Sequence, residues 1–475
     1  MGAGAAGIVA SPITLIIPMP TRPKRKTKAP PLPPQLQKVN LHAAAIDVGS
    51  TEHYVAVPPG RAAETVRCFG GHTADLHALA HWLKDCGITT VAMESTSNYW
   101  VPLFQILECA GFTVVLCNSR HVKNLPGRKT DVLDCQWLQE LHTYGLLSGS
   151  FRPADKVCVV RSYLRHRDNL TKAAASHVQH MQKALTEMNI GLHHVLSDLT
   201  GVSGLAIIRA ILEGERDTLK LATLKHPYVR KSPQEIAQAL EGDYREEHLF
   251  ALRQALELYE AYQMRIAECD GKIQAALRQL ESPHPAAAPA SEAPPAKARK
   301  TARAQADFAL KAQLEQLCGV DLTALPGFQA LSAQILISEI GLDMSRWKTE
   351  KHFCSWLRLS PGNPISGGKR MKTKPHKGHN RAAQILRVCA QAAIQSKSAL
   401  GAFGRRLRAR LDAPKAIKAL AHKLARLVYR MLKCGKSYAD AGELYYEHKY
   451  RDHLLKRLHK QAALFGFQLT PAPTE

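Results

Sequence analysis

Residues 41–50 read LHAAAIDVGS, a run of small apolar residues that closes on Asp47 and a Val-Gly turn. So short an apolar stretch, bounded by turn residues, predicts a buried β-strand. Tyr54–Pro58 (YVAVP) can return beside it as a hairpin, and ADLHALAHWLKDC predicts a helix ending at Gly87. TTVAMES predicts a second core strand, ending at Glu94. A helix over Leu103–Ala110 then leads to FTVVLCN, a third. The order β-β-α-β-α-β, with acids at strand ends, predicts an α/β domain of about 110 residues.

Beyond Arg152-Pro153 the pattern turns helical. Residues 154–192 form one long helical stretch and Glu246–Leu280 a second, which together predict an antiparallel coiled-coil arm. Residues 282–306 are a low-complexity Ala/Pro linker, and residues 1–40, rich in Pro, Ala and Lys, read as a disordered basic extension. From Phe308 the chain is mostly helical, with a turn-rich interruption between Ser360 and His379. A hydrophobic content of 45% and a mean hydropathy of −0.21 over 475 residues fit a globular protein of several domains. No apolar run approaches the roughly 18 residues of a membrane span. No basic residue precedes the weakly apolar N-terminal stretch, which makes it a poor secretory signal. Eleven cysteines without a single C-x-x-C argue against zinc knuckles and disulfide frameworks and fit a reducing cytoplasm. A cytoplasmic protein with no membrane partner is expected.

The charge is unevenly placed. The chain carries +24, but residues 41–150 hold 7 basic against 10 acidic side chains, whereas residues 351–475 hold 26 against 6. A single basic run is often only a solvated helix face. An excess on this scale points to a polyanionic partner, nucleic acid first.

Within the acidic region four carboxylates stand out: Asp47, Glu94, Asp131 and Asp134. The first two end apolar strands, where an ionised group is out of place without a task. The last two lie three apart at a predicted helix start, hence on one face. Converging on one end of the sheet, they would suit two Mg²⁺ ions, hard cations that prefer oxygen ligands and serve phosphodiester chemistry. Taken singly, each acid also reads as a turn or cap residue.

In the turn-rich segment, Ser366 precedes two glycines and then Lys369, Arg370, Lys372, Lys374 and Lys377, with Arg381 beyond. Glycines would let a phosphate approach, cations would offset a pentavalent transition state, and a hydroxyl there can attack phosphorus. The plainer reading is a basic loop that only touches backbone phosphates. Leu322–Gly341 has the helix, Pro-Gly turn, helix outline of a phosphate-holding hairpin, but Gln329 stands where a second glycine is usual, and a plain helical hairpin reads equally well.

In this order, the pieces resemble one family. Asp47-Val48-Gly49, Glu94-Ser95-Thr96 and the run from Arg128 to Asp134 resemble the RuvC-like DEDD domain of a class of bacterial insertion-sequence transposases. Pro326-Gly327-Phe328, the run Ile337–Gly341, Trp347-Lys348-Thr349, Trp356–Pro361, Ser366 with its glycines, and Gly378–Arg381 resemble that family's second domain. The likeness spans roughly 41–155 and 317–395.

The resemblance implies an α/β plus all-α protein: a RuvC/RNase H-like domain at 41–153, a helical coiled-coil region at 154–281, the linker at 282–306, a C-terminal transposase domain with the catalytic serine on a loop at 307–440, and a basic helix or tail at 441–475. It further implies an RNA-guided recombinase that cleaves and rejoins donor and target DNA. Asp47, Glu94, Asp131 and Asp134 would bind Mg²⁺, and Ser366 would form a phosphoserine link. A non-coding bridge or seek RNA encoded beside the element would guide it, and it would act as a nucleoid-associated tetramer with composite sites. Two departures are visible: Ile365 precedes Ser366 where a second serine is frequent, and Arg358 stands where a glycine is usual. Two other readings remain, a RuvC-like structure-specific nuclease that uses water, and a non-catalytic nucleic-acid-binding relative.

Overall fold

The computed structural model describes residues 37–118, 131–282, 302–361, 365–371 and 380–470. The chain divides into two compact units, Met1–Arg152 and Pro153–Glu475. The first runs β1 (Ala43–Val48), β2 (Glu52–Ala56), β3 (Val66–Gly70), α1 (Thr73–Asp85), β4 (Thr90–Glu94), α2 (Trp100–Cys109), β5 (Thr113–Cys117) and α3 (Asp131–Thr143). The five strands form one mixed sheet ordered β3-β2-β1-β4-β5. β1 to β3 are an antiparallel meander, and β4 and β5 lie parallel to β1 and to each other.

Strand alternation divides the sheet's chemistry between its faces. Ala44, Ile46 and Val48 of β1 and Val91 and Met93 of β4 pack with Leu79 and Leu83 of α1 and Leu103 and Leu107 of α2. The opposite face offers Ala45, Ala92 and Cys117 to Trp137 and Leu138 of α3. Small residues there let α3 close on the sheet, which explains the alanine run of β1. The sequence pattern anticipated two strands before α1, and the structure has three. β3 (VRCFG) is an edge strand with only Phe69 buried, so it lacks the apolar run that marks a core strand.

The second unit opens with α4 (Asp155–Glu187), followed by α5 (Leu192–Val195), α6 (Val202–Leu212), α7 (Thr218–Thr223), α8 (Pro233–Ala239) and α9 (Glu246–Arg278). α4 and α9, 33 residues and about 50 Å each, pack antiparallel. Arg167 pairs with Asp270 near one end and Glu187 with His248 near the other. The segment between them forms a helical cap with its own core, in which Met181, Leu185 and Met188 meet Ile207, Ile211, Leu221, Ile236 and Leu252.

The rest comprises α10 (Ala302–Cys318), a 3₁₀ turn (Leu322–Ala324), α11 (Ala330–Ile340), α12 (Glu350–Trp356), the two-residue strands β6 (Ile365–Ser366) and β7 (Lys369–Arg370), then α13 (Arg381–Ile394), α14 (Ala399–Arg410), α15 (Ala413–Cys434) and α16 (Glu443–Leu464). Several quoted motif residues are structural. Trp347 and Phe353 are buried in an aromatic cluster with Trp356 and Tyr429. The Tyr429 hydroxyl donates to the Trp347 carbonyl at 2.7 Å. Thr349 caps α12 by accepting from the His352 amide. Gly327, at φ +83°, lies so close to α13 that a Cβ would overlap the Cys389 carbonyl. Its glycine therefore answers to helix packing, which the structure provides directly, with no phosphate needed to account for it. Among the described residues no helix is long and apolar enough to cross a membrane.

Candidate active site

The register of the sheet brings the first two acids together. Ile46 of β1 lies opposite Met93 of β4 in a parallel ladder, so Asp47 and Glu94, one residue on, stand side by side at the strands' C-terminal ends. Alternation puts both on the face that carries Ala45 and Ala92, the face covered by α3. Glu94 is buried, Asp47 and Asp134 are half-buried and Asp131 is exposed.

α3 reaches the same place from the other direction. Its C-terminal end is tied to the start of the sheet: Gln139 Nε2 donates to the Ala43 carbonyl at 3.1 Å, the Val39 and Asn40 amides donate to the Thr143 carbonyl, and His142 Nε2 lies 2.9 Å from Thr90 Oγ1. The Thr90 hydroxyl donates to the Thr113 carbonyl, so His142 Nε2–H is the donor to Thr90. Burial holds its pKa down at about 4. From Gln139 back to Asp131 the helix rises about 12 Å, and from Ala43 to Asp47 the strand rises about 13 Å. The two rises match, and the acidic first turn of α3 arrives at the acidic strand ends.

The fields agree with this placement. The Cys135 thiol is pushed up to about 12 by burial and then by the Asp47 carboxylate, with Asp134 adding to it. Cys117 is raised to about 11 by burial and by Glu94. The Tyr54 hydroxyl, raised chiefly by Cys68 and Glu52, also feels Asp131. Among the described residues no three His, Cys, Asp or Glu side chains close around a single point as a finished metal cage. In donor chemistry these acids suit a hard divalent cation, being oxygen donors with no competing thiolate, since both neighbouring cysteines are held protonated.

Ser366 lies in the other unit, on a minimal hairpin. Ile365 pairs with Arg370 and Ser366 with Lys369 across Gly367-Gly368. Both glycines have positive φ, +55° and +73°, the type I′ turn of a two-residue β-hairpin. The expected loop is thus a hairpin tip, with Ser366 and Lys369 exposed. Lys372, Lys374 and Lys377 lie outside the described residues. The Arg381 guanidinium lies 3.5 Å from Glu339 and 3.3 Å from Asp168. Glu339, from the Ile337–Gly341 motif, is buried and also takes Arg161 and Arg165.

Comparison with known proteins supplies the identity. Residues 44–190 match a family model described as a transposase, the DEDD domain of IS110-type elements. Residues 319–405 match another, described as transposase of the IS116/IS110/IS902 family. The chain is an IS110-family transposase. No curated protein matches it. The transposase is accordingly a DNA phosphoryl-transfer enzyme, and its DEDD domain implies a divalent metal. The residues that tie α3 down, Gln139, His142 and Thr90, escaped sequence reasoning because nothing local distinguishes them from ordinary polar residues.

Proposed function

We propose that this transposase cleaves and rejoins DNA through a covalent phosphoserine link, with Ser366 as nucleophile and Asp47, Glu94, Asp131 and Asp134 as the Mg²⁺-binding acids. The observation that carries the reading is the setting of Ser366, an exposed hydroxyl at a Gly-Gly hairpin tip in the most basic part of the chain. The strand order of the first unit supports a RuvC/RNase H-like reading of that domain. Bound Mg²⁺ would polarise the scissile phosphate and favour the serine alkoxide. The chain's residues do the rest. Ser366 Oγ bonds to phosphorus, the bond from phosphorus to the leaving deoxyribose oxygen breaks with its electron pair, and the hydroxyl proton ends on that oxygen. Lys369, Arg370, Lys372, Lys374 and Lys377 hold backbone phosphates.

Guidance by an RNA encoded beside the element, assembly as a tetramer and catalytic centres completed between protomers belong to the same proposal. The basic C-terminal region supports the first by offering a surface for a second nucleic acid. The test is adduct trapping. The protein is expressed with the DNA that flanks its gene, denatured, and probed for covalently attached DNA, in wild type, Ser366→Ala and Asp47→Ala. An adduct present in wild type and lost in both variants supports the reading. Cut DNA without an adduct, indifferent to Ser366→Ala, replaces it with a water-using nuclease.

A further inference from the structure

We propose that Lys369 is a second catalytic residue of the serine centre, its ammonium set against the non-bridging oxygens of the phosphate that Ser366 attacks. The inference rests on the serine reading above and adds a partner to it. Its ground is the register of the hairpin. With both turn glycines left-handed, the two flanking residues, Ser366 and Lys369, are directly opposed. Opposed residues of an antiparallel pair project from the same face, with Cβ atoms about 5 Å apart. Lys369 therefore shares the face of the Ser366 hydroxyl.

Two further observations fit. Among the described residues neither the Ser366 nor the Lys369 side chain has a hydrogen bond or ion pair to give up, in contrast to Arg381, whose charge is met by Glu339 and Asp168. Among the described residues, a Cβ at Gly367 or Gly368 would meet nothing within 4 Å. A phosphate can therefore approach the serine with the ammonium already beside it. When Ser366 Oγ bonds to phosphorus and the leaving deoxyribose oxygen departs, charge builds on the two non-bridging oxygens. Lys369 offsets that charge and keeps all its protons, while the serine proton ends on the leaving oxygen as before.

The experiment separates binding from chemistry. The full chain, purified with the RNA it co-expresses from its flanking DNA, is mixed with a duplex spanning the element's end. Duplex affinity is then measured apart from the rate of adduct formation at saturating DNA, for wild type, Lys369→Ala, Lys369→Arg and Ser366→Ala. Lys369→Ala should slow adduct formation at saturating DNA by about 100-fold, beyond the modest affinity loss of a single phosphate contact, with an unchanged melting temperature. Lys369→Arg should recover part of the rate. A wild-type rate at saturating DNA, with loss confined to affinity, would make Lys369 a plain backbone contact and overturn the inference alone. An adduct that survives in Ser366→Ala would instead overturn the serine reading itself.

Discussion

At Arg358 the backbone takes φ +57°, a left-handed angle that costs a side-chain-bearing residue about 1 kcal/mol. It follows α12 and closes it: the Leu359 amide donates to the Cys354 carbonyl and the Arg358 amide to the Ser355 carbonyl, the paired bonds of a Schellman ending. That geometry is a physical reason for a glycine, the residue that the resemblance leads one to expect at this position. Comparing Arg358→Gly with Arg358→Ala isolates the backbone, because both lack the guanidinium. The glycine variant should be the more stable by about 1 kcal/mol in denaturant titrations, and equal stabilities would mean the turn relaxes. Asp131 offers a second single-residue test. It is exposed and opens α3, so Asp131→Asn removes one charge and leaves the packing untouched. Strand cleavage should fall below detection while nucleic-acid affinity stays within about twofold, since the basic surface is intact. Cleavage at the wild-type rate would remove Asp131 from the site.

The element on which the acidic site turns is α3, and its anchor is titratable. His142 is neutral and buried in the fold, whereas in the unfolded chain it protonates near pH 6.5. Unfolding therefore takes up a proton in acid. The contribution of His142 is complete above about pH 6.5 and is lost as pH falls towards about 4, by at most about 3 kcal/mol. His53, also lowered by burial, acts in the same direction. Denaturation midpoints between pH 4 and 7 should rise with pH, and His142→Gln, whose amide can still donate to Thr90, should flatten the rise. An unchanged slope would place the titration elsewhere. This element also marks the limit of what could be read from sequence. β1, β4, β5, α4 and α9 were legible because apolar runs and helical periodicity report burial. Asp47 and Glu94 were legible as charges at the ends of such runs. The tie between His142 and Thr90 joins residues 52 positions apart, and no local pattern records it. For the same reason the edge strand β3 and the pairing of Arg381 with Glu339 were missed. Ser366 was legible as a glycine-flanked serine, but its opposition to Lys369 emerges only from the hairpin register.

At the scale of the whole molecule, charge and chemistry are divided. The carboxylates lie in a region with more acids than bases, and the serine in one with 26 basic against 6 acidic residues. If about six backbone phosphates are neutralised, nucleic-acid affinity should drop roughly a thousand-fold between 50 and 200 mM salt. Asp47→Ala should leave that slope unaltered, and a slope that changed with Asp47 would tie the acids to binding as well as to chemistry.

The same division permits a test of whether one catalytic centre draws on two protomers. Asp47→Ala retains Ser366, and Ser366→Ala retains the acids. Each homogeneous variant should be inactive in adduct formation. In a mixed assembly with shared centres, the acids of a Ser366→Ala protomer can serve the serine of an Asp47→Ala protomer. Random pairing makes half the pairs mixed, with one of their two centres complete, so co-refolded protein should regain about a quarter of the wild-type adduct yield. The attached DNA should be found only on the Asp47→Ala chain, which a size tag on one variant would reveal. No recovery from an assembly shown to be mixed would mean that the acids and the serine of each centre belong to one chain.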